Sequence, residues 1–415
     1  MRNFNLPIIN ALTRAIYRIM ITAIICLSCY IASAQQFNIP GTNKRQTVPF
    51  KLVRSMVVIQ LKINGKGPFN FILDTGVGLM VITDEKLTDS LHITNKRTIK
   101  ISGLGEREDY EALIAPQLNV NIQGLVSSNV SAAILQKDHF GLSNYAGMPI
   151  HGLLGYDFFS QLAVKINFTD TIITVSRPKD MQVFRKATRV PINIQSGKPY
   201  MNAGVVLPDG IFKNAKLLID LGAGHALSME NIETLPQNSI PANLGIGLNG
   251  LIQGHINRIK EISIGNYKIS NIISSFPSES RDRNIAVSRD GSVGIGILKR
   301  FNIIFNYAEG VMYLKPNLNF KEPSEHDMSG LGYYLLGKDY QHLIVETVDK
   351  GSPGDESGIE VDDEITAINF RPVSRLNMQQ IDDLFRSRDG RSILIEICRK
   401  KNTYITLAMK LRRRI

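Results

Sequence analysis

The strongest constraint on this chain is a short pattern, three apolar residues followed by an acid, that occurs twice. Residues 71–76 read FILDTG, and residues 217–222 read LLIDLG 146 positions later. Each copy predicts a buried strand that ends in a tight turn, and the turn holds the acid. One copy alone would indicate only a plain strand end, because Asp, Thr and Gly are ordinary turn residues. The duplication places two carboxylates, those of Asp74 and Asp220, in matching contexts.

A second apolar signal that ends in glycine follows each acid at a similar distance. Residues 152–155 read GLLG and end 81 positions after Asp74, and residues 294–296 read GIG and end 76 positions after Asp220. Apolar segments that read as strands follow in both halves, at residues 164–168, 172–175, 301–307 and 311–314. Because the same order of signals occurs twice, the sequence predicts two equivalent lobes.

At these motifs the chain resembles the aspartic peptidases of the retropepsin-like and pepsin-like group. The resemblance covers residues 48–318 and is carried by the two acidic motifs together with Leu154-Gly155 and Ile295-Gly296. It implies a mainly β fold in which two homologous retropepsin-like β-barrel lobes form one cleft. Asp74 and Asp220 would be the catalytic residues, one from each lobe. The active-site loops implied in this way contain Thr75, Gly76, Leu221 and Gly222.

The chemistry expected of such a pair follows from the repulsion of like charges. Two carboxylates a few ångströms apart in a partly desolvated cleft cannot both ionise cheaply, so they share one proton. The singly protonated pair takes a proton from a water molecule and gives one to the carbonyl oxygen of the scissile bond. The sequence therefore predicts an exported aspartic endopeptidase that acts without a covalent intermediate and without a cofactor.

Three positions depart from the family pattern. Leu221 replaces the Thr or Ser whose hydroxyl braces the opposite loop, and Gly78 and Gly224 replace hydroxyl residues that often bind the catalytic acid. Losing those donors would raise the pKa of the acids and loosen the site. The alternative hypothesis is therefore a catalytically weak or inactive peptide-binding protein on this scaffold. His225 follows Gly224 and is expected to be a surface or packing residue.

A glycine-containing connection lies between each acid and its later glycine signal. The first is residues 101–110, with Gly103, Leu104 and Gly105, and its counterpart is residues 243–250. The resemblance implies that residues 102–108 form a flap over the cleft, where exclusion of water would strengthen charge interactions. The alternative for each copy is an ordinary hairpin turn.

Beyond residue 329 the pattern changes to short strands, a short capped helix and a longer amphipathic helix. This order resembles a PDZ domain over residues 330–415, and the sequence GLGY at 330–333 matches the carboxylate-binding loop of that family. The resemblance implies that the amides of Leu331, Gly332 and Tyr333 bind a peptide C-terminus while the peptide adds as a strand. The alternatives are a domain kept for packing alone and a protein that is purely a scaffold.

The predicted order of segments is a signal peptide, a polar lead-in, two lobes, a linker and the PDZ domain. The signal peptide is 1–34, the lead-in 35–47, the first lobe 48–187, the second lobe 188–316, the linker 317–329 and the PDZ domain 330–415. A basic start, a short apolar core and a small-x-small site predict cleavage after Ala34 and export, to the periplasm in a bacterium. An uncleaved anchor is an alternative, but the apolar run is shorter than the roughly 20 residues that a span needs. A lipoprotein signal at Cys29 is a further alternative.

Composition limits the remaining classes of function. With three cysteines, of which cleavage would leave only Cys398, the mature chain has no internal disulfide, and Cys398 reads as a strand thiol rather than a nucleophile. The net charge of +11 falls to +8 after cleavage, and its only cluster is a basic tail at residues 410–414 that we expect to be solvated. The sequence has no nucleic-acid motif, no metal-ligand spacing and no serine-hydrolase elbow. The expected partners are protein or peptide substrates at the cleft and peptide C-termini at the PDZ domain, with no nucleic acid and no membrane span.

Overall fold

The computed structural model describes residues 37–415 except 85, 92, 94–95, 102–109, 137, 139–140, 248–249, 279–286 and 401. The described residues are mainly β, as the sequence predicts. The first lobe contains β1 (Arg45–Pro49), β2 (Lys51–Val53), β3 (Met56–Ile63), β4 (Lys66–Leu73), β5 (Met80–Ile82), β6 (Arg97–Ile101), β7 (Tyr110–Ile122), β8 (Leu125–Leu135), β9 (Gly152–Leu154), β10 (Ala163–Asn167) and β11 (Ile172–Ser176). Its short helices are α1 (Lys86–Ser90), α2 (Leu142–Ala146) and α3 (Tyr156–Phe159).

The second lobe repeats this arrangement, with one helix among its described residues where the first lobe has three. Its strands are β12 (Thr188–Pro191), β13 (Asn193–Gln195), β14 (Lys198–Val206), β15 (Phe212–Ile219), β16 (Leu227–Met229), β17 (Ile240–Gly247), β18 (Gly250–Ile264), β19 (Tyr267–Pro277), β20 (Gly291–Val293), β21 (Phe301–Asn306) and β22 (Val311–Pro316), and its helix is α4 (Ile295–Leu298). Short 3-10 turns follow the two lobes, at Pro178–Asp180 and Leu318–Lys321.

Each lobe has an eight-stranded sheet, and the two sheets have the same strand order. The first runs β2-β3-β4-β9-β5-β8-β7-β6, and the second runs β13-β14-β15-β20-β16-β19-β18-β17. Most neighbouring strands are antiparallel. The strands that lead into the two acids are exceptions, because β4 pairs in parallel with the short strand β9, and β15 with the short strand β20. The element-by-element match confirms the prediction of two lobes built alike.

A third sheet, of six strands, joins the lobes. Its order is β1-β11-β10-β21-β22-β12, so β10 of the first lobe pairs with β21 of the second at its centre. Phe159 and Phe305 meet edge to face across this junction with ring centroids 5.5 Å apart, and both are fully buried. Burial of one such side chain stabilises the fold by about 2–3 kcal/mol. The shared core fixes the positions of the two acid-bearing strands relative to each other.

The C-terminal domain has its own sheet and its own apolar core. Its elements are β23 (Leu331–Leu336), β24 (His342–Val348), α5 (Pro353–Glu356), β25 (Glu364–Ile368), β26 (Arg371–Pro372), the 3-10 turn Val373–Arg375, α6 (Met378–Phe385), β27 (Ser392–Arg399) and β28 (Thr403–Lys410). The strand order is β23-β24-β25-β27-β28, with β26 beside β25, so β23 is an edge strand. Helix α6 begins with a capping box between Asn377 and Gln380. Cys398 is buried on β27 as an unpaired thiol.

In the basic tail Lys410, Arg412 and Arg413 are exposed, as expected of a solvated terminus, and the three arginines also form ion pairs within the C-terminal part of the chain. The pairs are Arg412–Glu356, Arg413–Glu325 and Arg414–Asp349, with N···O distances of 2.8, 2.7 and 2.7 Å. Acidic side chains that are distant in sequence neutralise the cluster, which sequence proximity alone does not show. Within the ranges that the structure describes, no helix is long and apolar enough to cross a membrane.

Candidate active site

The two predicted acids lie at equivalent strand ends. Asp74 directly follows β4, and its amide donates to the carbonyl oxygen of Leu154 at 2.9 Å. Asp220 directly follows β15, and its amide donates to the carbonyl oxygen of Val293, also at 2.9 Å. In both lobes the backbone of the acid therefore extends the parallel pairing with the short neighbouring strand. This pairing fixes the position of the Cα atom from which the carboxyl side chain extends.

The residue after each short strand is a glycine for a steric reason. A Cβ on Gly155 would overlap the carbonyl oxygen of Val77, and a Cβ on Gly294 would overlap that of His225. The sequence spacing paired Gly155 with Gly296, and that pairing is wrong. Gly294 is the structural equivalent, and Gly296 lies inside α4. The error arose because the second lobe has glycines at both positions and only the packing distinguishes them.

The two acid loops meet face to face. The amide of Gly76 donates to Oδ1 of Asp74 at 2.7 Å, and the amide of Gly222 donates to Oδ1 of Asp220 at 3.0 Å. A Cβ on Gly76 would lie 2.8 Å from Oδ2 of Asp220, and a Cβ on Gly222 would overlap the carboxyl group of Asp74. Each glycine thus leaves room for the opposite acid, so the two carboxyl groups can come together.

The hydroxyl of Thr75 makes two hydrogen bonds that brace the two loops against each other. Its hydroxyl donates to the carbonyl oxygen of Ile219 at 2.7 Å and accepts the amide of Leu221 at 2.9 Å. Leu221 is completely buried in the apolar core and has no hydroxyl to return the contact. One half of the reciprocal brace is therefore replaced by apolar packing.

The electrostatics of the pair favour protonation. Burial, and then the charge of Asp220, raise the pKa of Asp74 well above its usual range, although the amide of Gly76 and the charge of Lys198 oppose the shift. The carboxyl group of Asp220 lies close enough to interact directly with that of Asp74, which adds to the shift. Such a pair titrates as a unit and retains one proton where isolated carboxylates would have none.

The glycines that replace hydroxyl residues have different surroundings. Gly78 approaches the turn between β13 and β14, where its Cβ would lie 3.0 Å from the carbonyl oxygen of Ser196. Gly224 has open space around it, and the nearby amide of Ala223 donates to Oδ1 of Asp220 at 3.1 Å. A backbone donor thus supports Asp220 where no hydroxyl is available.

Sequence reasoning missed three residues close to the acids. Lys198 begins β14, and its charge acts on both acids; burial and then Arg289 lower the pKa of Lys198. Arg289 precedes β20 and donates to both carboxylate oxygens of Glu230, at 2.9 and 3.3 Å. No spacing signal marks either residue, because strands from different parts of the chain bring them to the site.

The third missed residue, Tyr307, is buried close to the two acids. Its ring stacks on that of Phe159 with centroids 5.4 Å apart. Its hydroxyl is buried and has no hydrogen-bond partner among the described residues. Burial, followed by the charges of Asp74 and Asp220, raises the pKa of Tyr307 well above its usual range, so the side chain stays neutral.

His225 lies beside the second acid loop and binds a neighbouring strand. Its Nε2 is 2.9 Å from the hydroxyl of Ser292, on β20. Burial lowers the pKa of His225, and the charge of Asp220 opposes this effect. The contact fits the expected packing role.

The predicted flap residues Gly103, Leu104 and Gly105 lie outside the described residues. Their counterpart in the second lobe is the hairpin of β17 and β18, of which residues 248–249 also lie outside. Within the described part of the chain, no group of three or more His, Cys, Asp or Glu side chains is placed to hold a metal ion.

The predicted carboxylate-binding loop is partly engaged by its own domain. The amide of Leu331 donates to the hydroxyl of Ser329 at 3.1 Å, so this donor is already used. Asp327 accepts the amides of Ser329 and Gly330 at 2.9 and 2.8 Å. Gly332 and Tyr333 lie on the edge strand β23, where a peptide strand could add.

Comparison with known proteins places two parts of the chain in families. Residues 59–158 match a family model described as aspartyl protease, and residues 344–399 match one described as PDZ domain. The carboxy-terminal processing protease CtpA of Bacillus subtilis (strain 168) is 30% identical over 92 residues, which are 22% of this chain and 20% of that protein. The chain thus spans about a fifth of the length of this curated relative.

Two solved structures align with this chain at low sequence identity. An aspartic proteinase from Irpex lacteus aligns with a TM-score of 0.45 at 12% identity, over 68% of this chain and 99% of its own. Basic 7S globulin from soybean aligns with a TM-score of 0.40 at 12% identity, over 68% of this chain and 97% of its own. The family matches confirm both resemblances expected from the sequence, an aspartyl protease region and a C-terminal PDZ domain.

Proposed function

We propose that this chain, which carries an aspartyl protease region and a C-terminal PDZ domain, is an exported endopeptidase that hydrolyses peptide bonds with Asp74 and Asp220. The observation that carries the proposal is the approach of the two carboxyl groups, each lying against the glycine of the opposite loop. The raised pKa of Asp74, caused by burial and by the charge of Asp220, supports it, since general acid–base catalysis needs one protonated and one ionised group.

In the proposed reaction a water molecule lies between the two carboxyl groups. The ionised carboxylate takes a proton from the water, whose oxygen bonds to the carbonyl carbon, while the protonated carboxyl gives its proton to the carbonyl oxygen. The tetrahedral intermediate then collapses, the C–N bond breaks, and a proton passes to the leaving amine.

Leu221 supports the second candidate, a weak or inactive peptide-binding protein on the same scaffold. Without a hydroxyl there, Thr75 alone holds the two loops in register. Against this candidate stands the cost of two adjacent buried acids, which a binding scaffold would not need.

The remaining parts of the proposal concern location and recognition. We propose cleavage after Ala34 and a periplasmic mature chain with lobes at 48–187 and 188–316, a linker at 317–329 and the PDZ domain at 330–415. We also propose that the PDZ domain binds peptide C-termini or regulates access to the cleft. Residues 1–34 lie outside the described part of the chain.

The test is cleavage of an unfolded protein by residues 35–415 from acidic to neutral pH. We expect Asp74→Asn and Asp220→Asn each to abolish cleavage, because either change removes the shared proton or its acceptor. Asp209→Asn is the matched control, since Asp209 lies on an exposed turn of the second lobe. Wild-type protein that binds peptides but cleaves none at any pH would favour the second candidate.

A further inference from the structure

In the C-terminal domain the edge strand β23 and helix α6 lie side by side, and we call the seam between them the groove. Met378, Asp382 and Phe385 share one face of α6, because their spacing of four and three residues matches the helical repeat. From β23, the hydroxyl of Tyr333 donates to Oδ1 of Asp382 at 2.6 Å, and the rings of Tyr333 and Phe385 lie 5.4 Å apart. The groove therefore has apolar walls with one buried carboxylate between them.

The first lobe fills this groove with an arginine. Nε of Arg54 lies 3.2 Å from Oδ2 of Asp382, and Nη1 donates to the carbonyl oxygen of Tyr333 at 3.1 Å. The guanidinium also lies over the ring of Tyr145, 3.9 Å from its centroid. The side chains of Arg54 and Asp382 are only 9% and 4% exposed, so this ion pair is sheltered from water.

A second element of the first lobe touches both walls. Gly147 ends α2, and a Cβ there would lie 2.6 Å from Cδ1 of Leu335 and 3.1 Å from Cγ of Met378. The backbone after α2 thus lies directly against β23 and α6, beside Arg54.

The turn that presents Arg54 has an unfavourable local conformation. Arg54 and Ser55, between β2 and β3, have φ angles of 45° and 65°. Two-residue turns with both φ angles positive prefer Asn-Gly, because side chains larger than these clash there. A long arginine at this position is therefore best explained by the contact that its side chain makes.

The chemistry of the groove selects a planar cation. A buried carboxylate is costly unless a charged partner with good geometry accompanies it. The guanidinium fork can reach Asp382 and the carbonyl oxygen of Tyr333 together, which an ammonium group on a lysine would do less well. Along β23, no strand pairs with the outer edge among the described residues, so an incoming peptide strand has backbone groups to bind.

We infer that this groove is a binding site for a peptide segment that carries an arginine side chain, and that Arg54 of the first lobe occupies it within the same chain. An external peptide with an arginine competes with Arg54 for Asp382. This inference rests on the proposed peptide-binding role of the PDZ domain. Because Arg54 occupies the groove in this structure, a peptide has to displace it, and the apparent affinity for peptides is reduced by the fraction of molecules in which Arg54 has left.

The experiment titrates labelled peptides against the full chain and measures fluorescence anisotropy. All variants carry Asp74→Asn, so that bound peptide is not cleaved. Two sets of apolar peptides with free C-termini are compared, one with a single arginine among its last four residues and one with glutamine at the same place. We expect Arg54→Ala to raise the affinity for the arginine peptides about tenfold. Arg177→Ala, at an exposed ion pair in the first lobe, is expected to leave it unchanged.

Two further variants distinguish an effect at the groove from a general change in stability. Gly147→Ala places a Cβ 2.6 Å from Cδ1 of Leu335, at a position where φ is 67°, without changing Arg54 or Asp382. We expect it to loosen the packing of the first lobe on β23 and α6 and so to raise the affinity like Arg54→Ala. Asp382→Asn, combined with Arg54→Ala, is expected to remove the preference for arginine over glutamine.

The inference is wrong if both releasing variants bind peptides no better than the parent, if arginine and glutamine peptides bind equally, or if no peptide binds at all. Because these titrations use a cleavage-deficient background, they remain interpretable if the proposed peptidase activity fails in the separate cleavage assay. A fall in melting temperature of Arg54→Ala without a gain in affinity would identify the contact as structural only.

Discussion

Thr75 makes, with one hydroxyl, the contact that holds the two acid loops together. Both of its partners are backbone groups of the second lobe, on either side of Asp220. The side chain of Leu221 is apolar and contributes only packing, while its amide donates to Thr75. The geometry of the site therefore depends on the first lobe more than on the second.

We expect Thr75→Val to destabilise the fold by about 1–3 kcal/mol, because it leaves a buried carbonyl and a buried amide without a partner. Urea denaturation measures the change. Thr47→Val, on the exposed face of β1, serves as the control and should change stability by less than about 0.5 kcal/mol. An equal effect of both substitutions would contradict the bracing role.

How far the sequence predicts the site depends on the residue. Asp74, Asp220 and Thr75 are predictable, because the repeated motif places them at the same point of two equal lobes. Lys198 and Arg289 are not, because each reaches the site through a strand whose neighbours are set by the tertiary fold. The role of Arg54 could not be predicted either, since an arginine on a two-residue turn reads as solvated.

At the level of elements, the structure depends on short strands that pair in parallel with the strands bearing the acids. The sequence marks them by an apolar run and a glycine, which suffices to predict their existence. The sequence does not show which glycine of the second lobe corresponds to Gly155, because both Gly294 and Gly296 are candidates. The overlap that a Cβ on Gly294 would make with the carbonyl oxygen of His225 identifies Gly294.

The segment that links the second lobe to the C-terminal domain contains a pH-sensitive contact. Nε2 of His326 accepts the amide of Arg414 at 3.3 Å. Burial, followed by the charge of Arg414, lowers the pKa of His326 to about 4. The folded state therefore binds fewer protons than the unfolded state between this value and the ordinary histidine pKa of about 6.5.

It follows that stability falls as pH decreases through this window, by at most about 3 kcal/mol from this histidine. Partial exposure of His326 reduces the effect. We expect His326→Gln to flatten this part of the profile, measured by urea denaturation at several values from pH 7 to pH 4. His342→Gln, at an exposed position on β24, should keep the wild-type slope. A His326→Gln profile as steep as the wild type would refute the assignment.

At the scale of the whole molecule, the six-stranded sheet is the part that makes one cleft out of two lobes. Phe305 lies at its centre, opposite Val164 of the first lobe, and is completely buried. Loss of packing there affects both lobes, because their apolar residues form one continuous core.

We expect Phe305→Ala to destabilise the protein by about 3–5 kcal/mol through the cavity that it leaves. Any peptidase activity should fall as well, since a displacement of about 1 Å at a catalytic group can cost roughly a hundredfold in rate. Thermal unfolding and the cleavage assay measure the two effects. Phe212→Ala, at an exposed position on β15, should change neither. Unchanged cleavage at full stability would show that the sheet is not needed to align the acids.

Each lobe has a hairpin turn at the same position in its sheet, but the two turns contact different parts of the molecule. By position in the sheets, the turn at Arg54 and Ser55 corresponds to the turn at Ser196 and Gly197. The second turn lies against Gly78 next to the acids, whereas the first reaches out to the C-terminal domain. If the cleft were instead formed by a symmetric dimer of two identical lobes, one substitution would change the turn in both lobes at once. Two lobes on one chain have separate sequences, which removes that restriction, so one turn can lie beside the acids while the other contacts the C-terminal domain.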